Sequence, residues 1–207
     1  MIRLLFSTAR SGSTWRGHVL AQQHDCELLD EPFSKATLGR HKRILINTLK
    51  TYGSRENNCV IKVFPNHLQF NQVCNLEHIL IDAAVDAEIL LRRDFSSQLK
   101  SIYVAIEHSK IVDPDASSTH PWQRNFDEPL VIEKIDHSMI DEMYSRLTEQ
   151  ILHLRDIYQQ HGFTVTYLED ICDNYAHMQL PAGKLHRPVV WKEQFPDMHF
   201  NTEELFR

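Results

Sequence analysis

The stretch "IRLLFSTARSGSTWRGHVLAQ", residues 2–22, decides how the chain is to be read. An apolar run, Ile2 to Phe6, breaks at Ser7 into a polar turn, and a helical pattern follows from Ser13. Strand, tight polar turn and helix in that order open a βαβ unit. Such a turn lines up backbone N–H groups ahead of a helix N-terminus, where unpaired donors and partial positive charge suit a phosphate or sulfate. Gly12 permits close backbone approach, and Ser11, Ser13 and Thr14 add hydroxyls. Arg10 adds a forked cation matched to oxyanions. The Gly-Lys-Ser/Thr ending of a nucleoside-triphosphate loop is missing. The plainer reading of the same residues is a capped helix behind a turn, with no ligand.

Further along, short and mostly unalternating apolar runs predict strands at residues 26–30, 59–64, 87–91 and 163–168, as well as 2–7. Unalternating runs suit parallel strands covered on both faces. Helical patterns fill the gaps at 13–23, about 38–52, 68–75, 96–107 and 139–161. In the last, Met139, Ile140, Met143, Leu147, Ile151, Leu154 and Tyr158 form one apolar stripe. Ser138 followed by Asp141 predicts a capping-box start there, and Gly162 a stop. The alternation predicts an α/β fold: one domain over 1–207 with a central parallel sheet of about four to five strands flanked by helices. Residues 111–135 read as an irregular insertion whose His120, Trp122 and Arg124 are expected to shape a pocket. The tail from 176 to 207 reads as mostly loop, either a cover over a ligand or a meandering terminus.

The composition is that of an ordinary globular protein, with 42% hydrophobic and 24% charged residues. A formal net charge of −6 gives no argument for nucleic acid or an anionic membrane as partner. No apolar run approaches the roughly 18–20 residues that span a bilayer. The N-terminal apolar run is also too short for a signal-peptide core, so a cytoplasmic protein is expected. Cys26, Cys59, Cys74 and Cys172 show no C-x-x-C spacing and suit buried thiols in a reducing compartment. The 13 histidines show no metal-ligand spacing, and no metal is expected.

A second segment bears on the anion. In "EILLRRDFSSQLKSIYVAI" a buried strand ends at Arg93 and Ser101 follows eight residues later, on the same helical face as Ser97. The two segments together resemble the sulfotransferases that use 3′-phosphoadenosine 5′-phosphosulfate (PAPS). In that family the phosphosulfate loop follows the first strand and reads roughly P-[KR]-[ST]-G-[ST]-[ST]-[WL]. Here it is "ARSGSTW", residues 9–15, which carries Arg10, Ser11, Gly12, Ser13, Thr14 and Trp15. The family's 3′-phosphate signature, a strand-end Arg with Ser eight residues on, falls on Arg93 and Ser101. "DEPF" at 30–33 and "TYLEDI" at 166–171 follow in family order. The wording of the second segment is similar to the bacterial trehalose (Stf-type) and carbohydrate sulfotransferases.

The resemblance implies a P-loop-type three-layer fold and in-line transfer of a sulfuryl group from PAPS, without Mg²⁺, to a hydroxyl of a carbohydrate or small metabolite. It implies that Arg10 and the loop N–H groups stabilise the leaving phosphate. It implies that Glu31 of "DEPF" is the general base, with His108 as a rival. Lys62, inside apolar "CVIKVFP", must pair with an anion or snorkel out. It is expected to touch the sulfuryl group or acceptor, or simply to pair with Glu31. Arg92 reads as a surface charge. At the tail, "GKLHRPVVWKEQF" resembles the family's basic, Trp-containing closing segment, which makes Lys184, Arg187, Trp191 and Lys192 candidates for the nucleotide. The chain departs from the family in its short length, in Arg16 after Trp15 and in Leu168 where the late strand carries Tyr. Two other readings stay open: a non-catalytic nucleotide- or anion-binding module on the same fold, and a kinase-like phosphotransferase. The sequence leaves the acceptor and the oligomeric state open.

Overall fold

Ile2, Leu4, Leu5 and Phe6 are each at most 1% exposed. Consecutive buried residues mean that both faces of this strand are covered, which places it inside a parallel sheet between helical layers. The computed structural model describes residues 1–34, 40–54, 56–69, 75–112, 128–171 and 188–207. In chain order these form β1 (Ile2–Ser7), α1 (Ser13–Gln23), β2 (Glu27–Leu29), α2 (His41–Tyr52), β3 (Cys59–Val63), α3 (Pro65–Gln69) and α4 (Leu76–Ala83). There follow β4 (Ala84–Leu91), α5 (Phe95–Val112), β5 (Leu130–Ile132), α6 (His137–His161), β6 (Thr164–Tyr167), α7 (Leu168–Ile171), β7 (Val189–Trp191) and α8 (Thr202–Leu205).

Five strands make an all-parallel sheet in the order β2-β3-β1-β4-β6, with β1 at its centre. The chain leaves β1 towards β2 and β3 on one side and reaches β4 on the other. Ligands of open α/β sheets bind where the strand order reverses in this way, at the carboxyl ends of the strands. Side chains alternate between the faces of the sheet. Leu4, Phe6, Ile61, Val63, Ile89 and Leu91 join the larger core with Leu99 and Tyr103 of α5 and the α6 stripe. On the opposite face Leu5, Val60 and Leu90 pack with Leu20 of α1 and with Leu28. Leu5 pairs in register with Lys62 on one side and Glu88 on the other, so the α1 face carries a buried lysine and a partly buried glutamate in one row. Helices thus cover both faces of the sheet in a three-layer α/β arrangement. Among the described residues no helix is long and apolar enough to cross a membrane.

Several elements depart from expectation for identifiable reasons. Of the helix expected at 68–75, residues 68 and 69 end α3, which opens on Pro65, and 70–74 lie outside the described residues; α4 begins after Asn75. Proline's fixed φ and missing N–H suit a first helical position. Strand β4 starts at Ala84, three residues before the apolar run at Ala87, because parallel pairing with β1 extends that far. Helix α6 is capped by Asp136, whose side chain accepts a hydrogen bond from the Met139 N–H, and not by Ser138. Gly162 ends it as expected, at φ 65°. Within the segment read as an irregular insertion, β5 pairs with β7 of the tail in a second, two-stranded parallel sheet. The tail also forms α8, so neither segment is purely loop. His120, Trp122, Arg124, Cys74 and Cys172 lie outside the described residues. Cys26 and Cys59 are free thiols.

A half-buried ion pair ties α6 to α4: His153 Nε2 lies 2.6 Å from Glu77 Oε2. The hydrogen bond to Glu77, and then its charge, hold the His153 imidazolium pKa above the ordinary histidine value despite burial. A histidine whose pKa is raised on folding stabilises the fold fully below its unfolded value, and that contribution is lost as pH rises through the folded value. Stability measured by urea unfolding is therefore expected to fall on going from mildly acidic to mildly alkaline pH. In His153→Gln this part of the slope is expected to vanish, with the rest of the profile kept.

Candidate functional site

The turn between β1 and α1 is built from two left-handed residues. Arg10 adopts φ 59° and Gly12 φ 83°, with buried Ser11 between them. Gly12 occupies the N-cap position of α1 without a side-chain cap, and the Arg16 N–H closes the first helical turn on its carbonyl. There is no acidic residue in the first turn of α1. The turn is fastened from both ends. Ser7 and Ser11 share a hydroxyl–hydroxyl hydrogen bond. From α5, the buried Gln98 amide donates to Thr8 Oγ1 at 2.8 Å and to the Ala9 carbonyl at 2.6 Å. The sequence pattern gives no sign of Gln98, because its role depends on α5 lying beside the loop.

Arg10 folds over towards the same helix, and its Nε donates to Ser101 Oγ at 2.9 Å. Burial, and then the charge of Arg92, lower the Arg10 pKa. Arg92, whose charge reaches Arg10, meets Glu169 Oε1 with its Nε at 3.5 Å. Arg93 is placed differently. Its guanidinium binds Asp170 through two contacts, of 2.5 and 2.6 Å, it also pairs with Glu203 of α8, and it lies 4.4 Å from the centre of the Tyr167 ring. Those hydrogen bonds raise its pKa, Asp170 first and Glu203 second. The "TYLEDI" carboxylates thereby acquire structural work. Glu169 accepts from the Arg93 N–H at 3.1 Å, at the start of α5, while Asp170 holds the Arg93 side chain. Ser97 contributes its backbone N–H to Asp94 Oδ1 at 2.8 Å. Ser101 is thus brought to Arg10, and Arg93 to carboxylates.

Across β3, Lys62 lies on the α1 face with its side chain 2% exposed. An ammonium there must be neutralised and hydrogen-bonded. Lys62 Nζ donates to Thr14 Oγ1 at 2.8 Å, meets Glu31 Oε1 at 2.8 Å, and also contacts Asp30. Glu31, at φ 53°, turns the chain out of β2 and brings both carboxylates onto the lysine. The structure thus joins the expected loop residue Thr14, the expected base Glu31 and Lys62 in one cluster, and adds Asp30. In the same row of the sheet, Arg16 answers Glu88 through two contacts, of 2.8 and 2.6 Å. The charge after Trp15 is therefore buried and paired with a partly buried acid.

Of the other candidates, Ser13 is buried at the start of α1 and Trp15 is half-buried. His108 is buried within α5. Trp191 belongs to the core, its ring 5.5 Å from that of Phe195 and 6.1 Å from that of Tyr103. The Lys192 N–H extends the small sheet by donating to the Ile132 carbonyl. Lys184 and Arg187 lie outside the described residues. Among the described residues no group of three or more His, Cys, Asp or Glu is placed to hold a metal ion. Comparison of the chain with protein-family models and with curated proteins finds no match.

The loop's shape depends on Gly12. A Cβ there would come within 2.7 Å of Leu168 Cδ1, at a φ that side-chain-bearing residues rarely adopt. Gly12→Ala is expected to destabilise the protein by about 1–2 kcal/mol from the backbone alone. Urea unfolding against the wild type measures this. An unchanged midpoint would mean that the turn relaxes without penalty.

Proposed function

We propose that the protein is a sulfotransferase on a P-loop-type fold, moving the sulfuryl group of PAPS to a hydroxyl of a carbohydrate or small metabolite. The observation that carries this reading is the Lys62 cluster. One buried ammonium touches Thr14 at the anion-binding loop and Glu31 at the exit of β2. Anion loop, cation and carboxylate therefore adjoin in the order that an in-line transfer needs.

Glu31 takes the proton of the acceptor hydroxyl as its oxygen attacks sulfur. The bond between sulfur and the 5′-phosphate oxygen breaks, and adenosine 3′,5′-bisphosphate leaves. The loop N–H groups, the start of α1 and Arg10 stabilise the negative charge that develops on the leaving phosphate. Lys62 faces the sulfuryl oxygens between them. Sulfuryl transfer involves less charge than phosphoryl transfer, so the loop works with arginine in place of the Gly-Lys-Ser/Thr ending. For the 3′-phosphate Arg92 is the stronger candidate. Its carboxylate contact, with Glu169, is long at 3.5 Å and its charge acts on Arg10, whereas Arg93 is held closely by Asp170 and Glu203.

Adenosine 3′,5′-bisphosphate is expected to raise the thermal midpoint more than ATP with Mg²⁺; the reverse order would favour the kinase-like alternative. With ³⁵S-labelled PAPS and a metabolite extract, wild type is expected to label a hydroxylated product. Glu31→Gln is expected to keep bisphosphate binding and lose about 10²–10⁴-fold in rate. Full turnover in that variant would remove Glu31 as base.

The arginine assignment has its own test in calorimetric titrations. Arg92→Ala is expected to abolish the preference for adenosine 3′,5′-bisphosphate over 5′-AMP. Arg93→Ala is expected to keep that preference while losing stability. The opposite pattern would return the 3′-phosphate to Arg93.

A further inference from the structure

His67 lies in α3, immediately beyond the carboxyl end of β3, and none of the steps above uses it. Its side chain is buried, with 5% exposure, and Nδ1 is fully buried with no hydrogen-bond partner among the described residues. Buried polar atoms are almost always satisfied, so an exception needs a reason. The ring packs 5.1 Å from the centre of the Phe64 ring, and the Lys62 ammonium lies 5.2 Å from the same ring centre. Phe64 is therefore shared by His67 and the lysine that binds Glu31. Burial, helped by the charges of Lys62 and His41 and opposed by Glu31, pushes the imidazole pKa down to about 4. A neutral ring at physiological pH is a weak partner for an anion and a poor rival to Glu31 as base. It still offers one hydrogen-bond donor and one acceptor, which match a hydroxyl group.

We propose that His67 is the specificity-determining residue of the acceptor side, binding a second hydroxyl of the acceptor so that polyhydroxylated molecules are taken over simple alcohols. For its reaction this inference rests on the sulfuryl-transfer reading; for its binding it rests on the placement of His67 alone. The preference follows from the unpartnered nitrogen. A site built to hydrogen-bond a substrate hydroxyl discriminates strongly against an analogue that lacks it, since the buried polar group is then left unpaired.

The test uses full-length protein labelled with ¹⁵N in histidine, with glucose as the polyol probe and cyclohexanol as the simple alcohol. His67 ring resonances, assigned by difference against His67→Gln, are expected to shift on adding glucose and to stay in place with cyclohexanol. The titrations are run with and without adenosine 3′,5′-bisphosphate. In parallel, the ratio of ³⁵S transfer from PAPS to glucose over cyclohexanol is expected to fall at least ~10-fold in His67→Phe, mainly through KM. Partial recovery is expected in His67→Gln. Resonances that ignore glucose, or respond equally to both probes, overturn the role of His67 whether or not transfer occurs. A glucose-specific shift without transfer from PAPS keeps His67 as a hydroxyl-binding residue and overturns the sulfotransferase reading instead. If His67→Phe fails to fold, the wild-type titration and His67→Gln decide.

Discussion

A charged amine inside a parallel strand has to be neutralised where it stands, and the Lys62 ammonium imposes that requirement on everything around it. The period of the strand sends Lys62 to the α1 face, in one row with Leu5 and Glu88. Helix α1 crosses that row and answers both charges, with Thr14 near its start for the lysine and Arg16 two residues later for the glutamate. The remaining neutralisation comes from Asp30 and Glu31, which requires the chain to leave β2 in a left-handed turn. Removing one partner of a buried ion pair typically costs about 3–5 kcal/mol, because the other charge stays behind unpaired. The loop, the first helix and the β2 exit are thus held to one another by the same buried cation that the reaction is proposed to use.

The other side of the loop is fixed by neutral contacts and by surface charge. Gln98 holds the turn through Thr8 and Ala9, while Glu169 and Asp170 hold the beginning of α5 and Arg93. The Thr202 hydroxyl donates to the Arg92 carbonyl, and Phe200 packs against Phe95 at 5.4 Å between ring centres. The C-terminal residues therefore clamp the strand end that carries the two arginines. Both side chains meet carboxylates, Arg93 those of Asp170 and Glu203 and Arg92 that of Glu169 at 3.5 Å.

Much of the frame was legible because it rests on local pattern. Ile2–Ser7 and Ser13–Gln23 emerge at their observed bounds, since an uninterrupted apolar run and a polar turn leave little else for those residues to form. The clustering of Glu31 with Lys62 was one of the two outcomes that a buried lysine allows. What escaped depends on tertiary neighbours. Interval counting points to Arg93, but nothing local announces its carboxylate partner Asp170, supplied from β6–α7 more than seventy residues away in sequence. The β5–β7 pair joins segments that each look irregular alone. Asp136 outcompetes Ser138 as a cap because its N–H is held by the Tyr103 hydroxyl, a contact between α5 and the start of α6. Gln98 and His67 carry no local signal: one is an ordinary helical glutamine, the other one histidine among 13.

The distribution of charge gives the proposed direction of transfer a physical basis. On the proposed donor side, Arg10 meets Ser101 near a helix start that has no acid in its first turn, and the charge of Arg92, itself paired with Glu169, reaches Arg10. On the acceptor side, one ammonium faces two carboxylates, Asp30 and Glu31, with a histidine held neutral nearby. The field along that line runs from positive to negative. In the proposed reaction an anionic donor would be drawn to the first end by guanidinium groups, which keep their charge at neutral pH. A neutral hydroxyl approaching the second end meets a carboxylate able to take its proton, and the negative charge that develops on the departing phosphate lies away from those carboxylates. The arrangement opposes an anionic acceptor by the same repulsion, so the charges that keep a buried lysine stable also bear on what the site can accept.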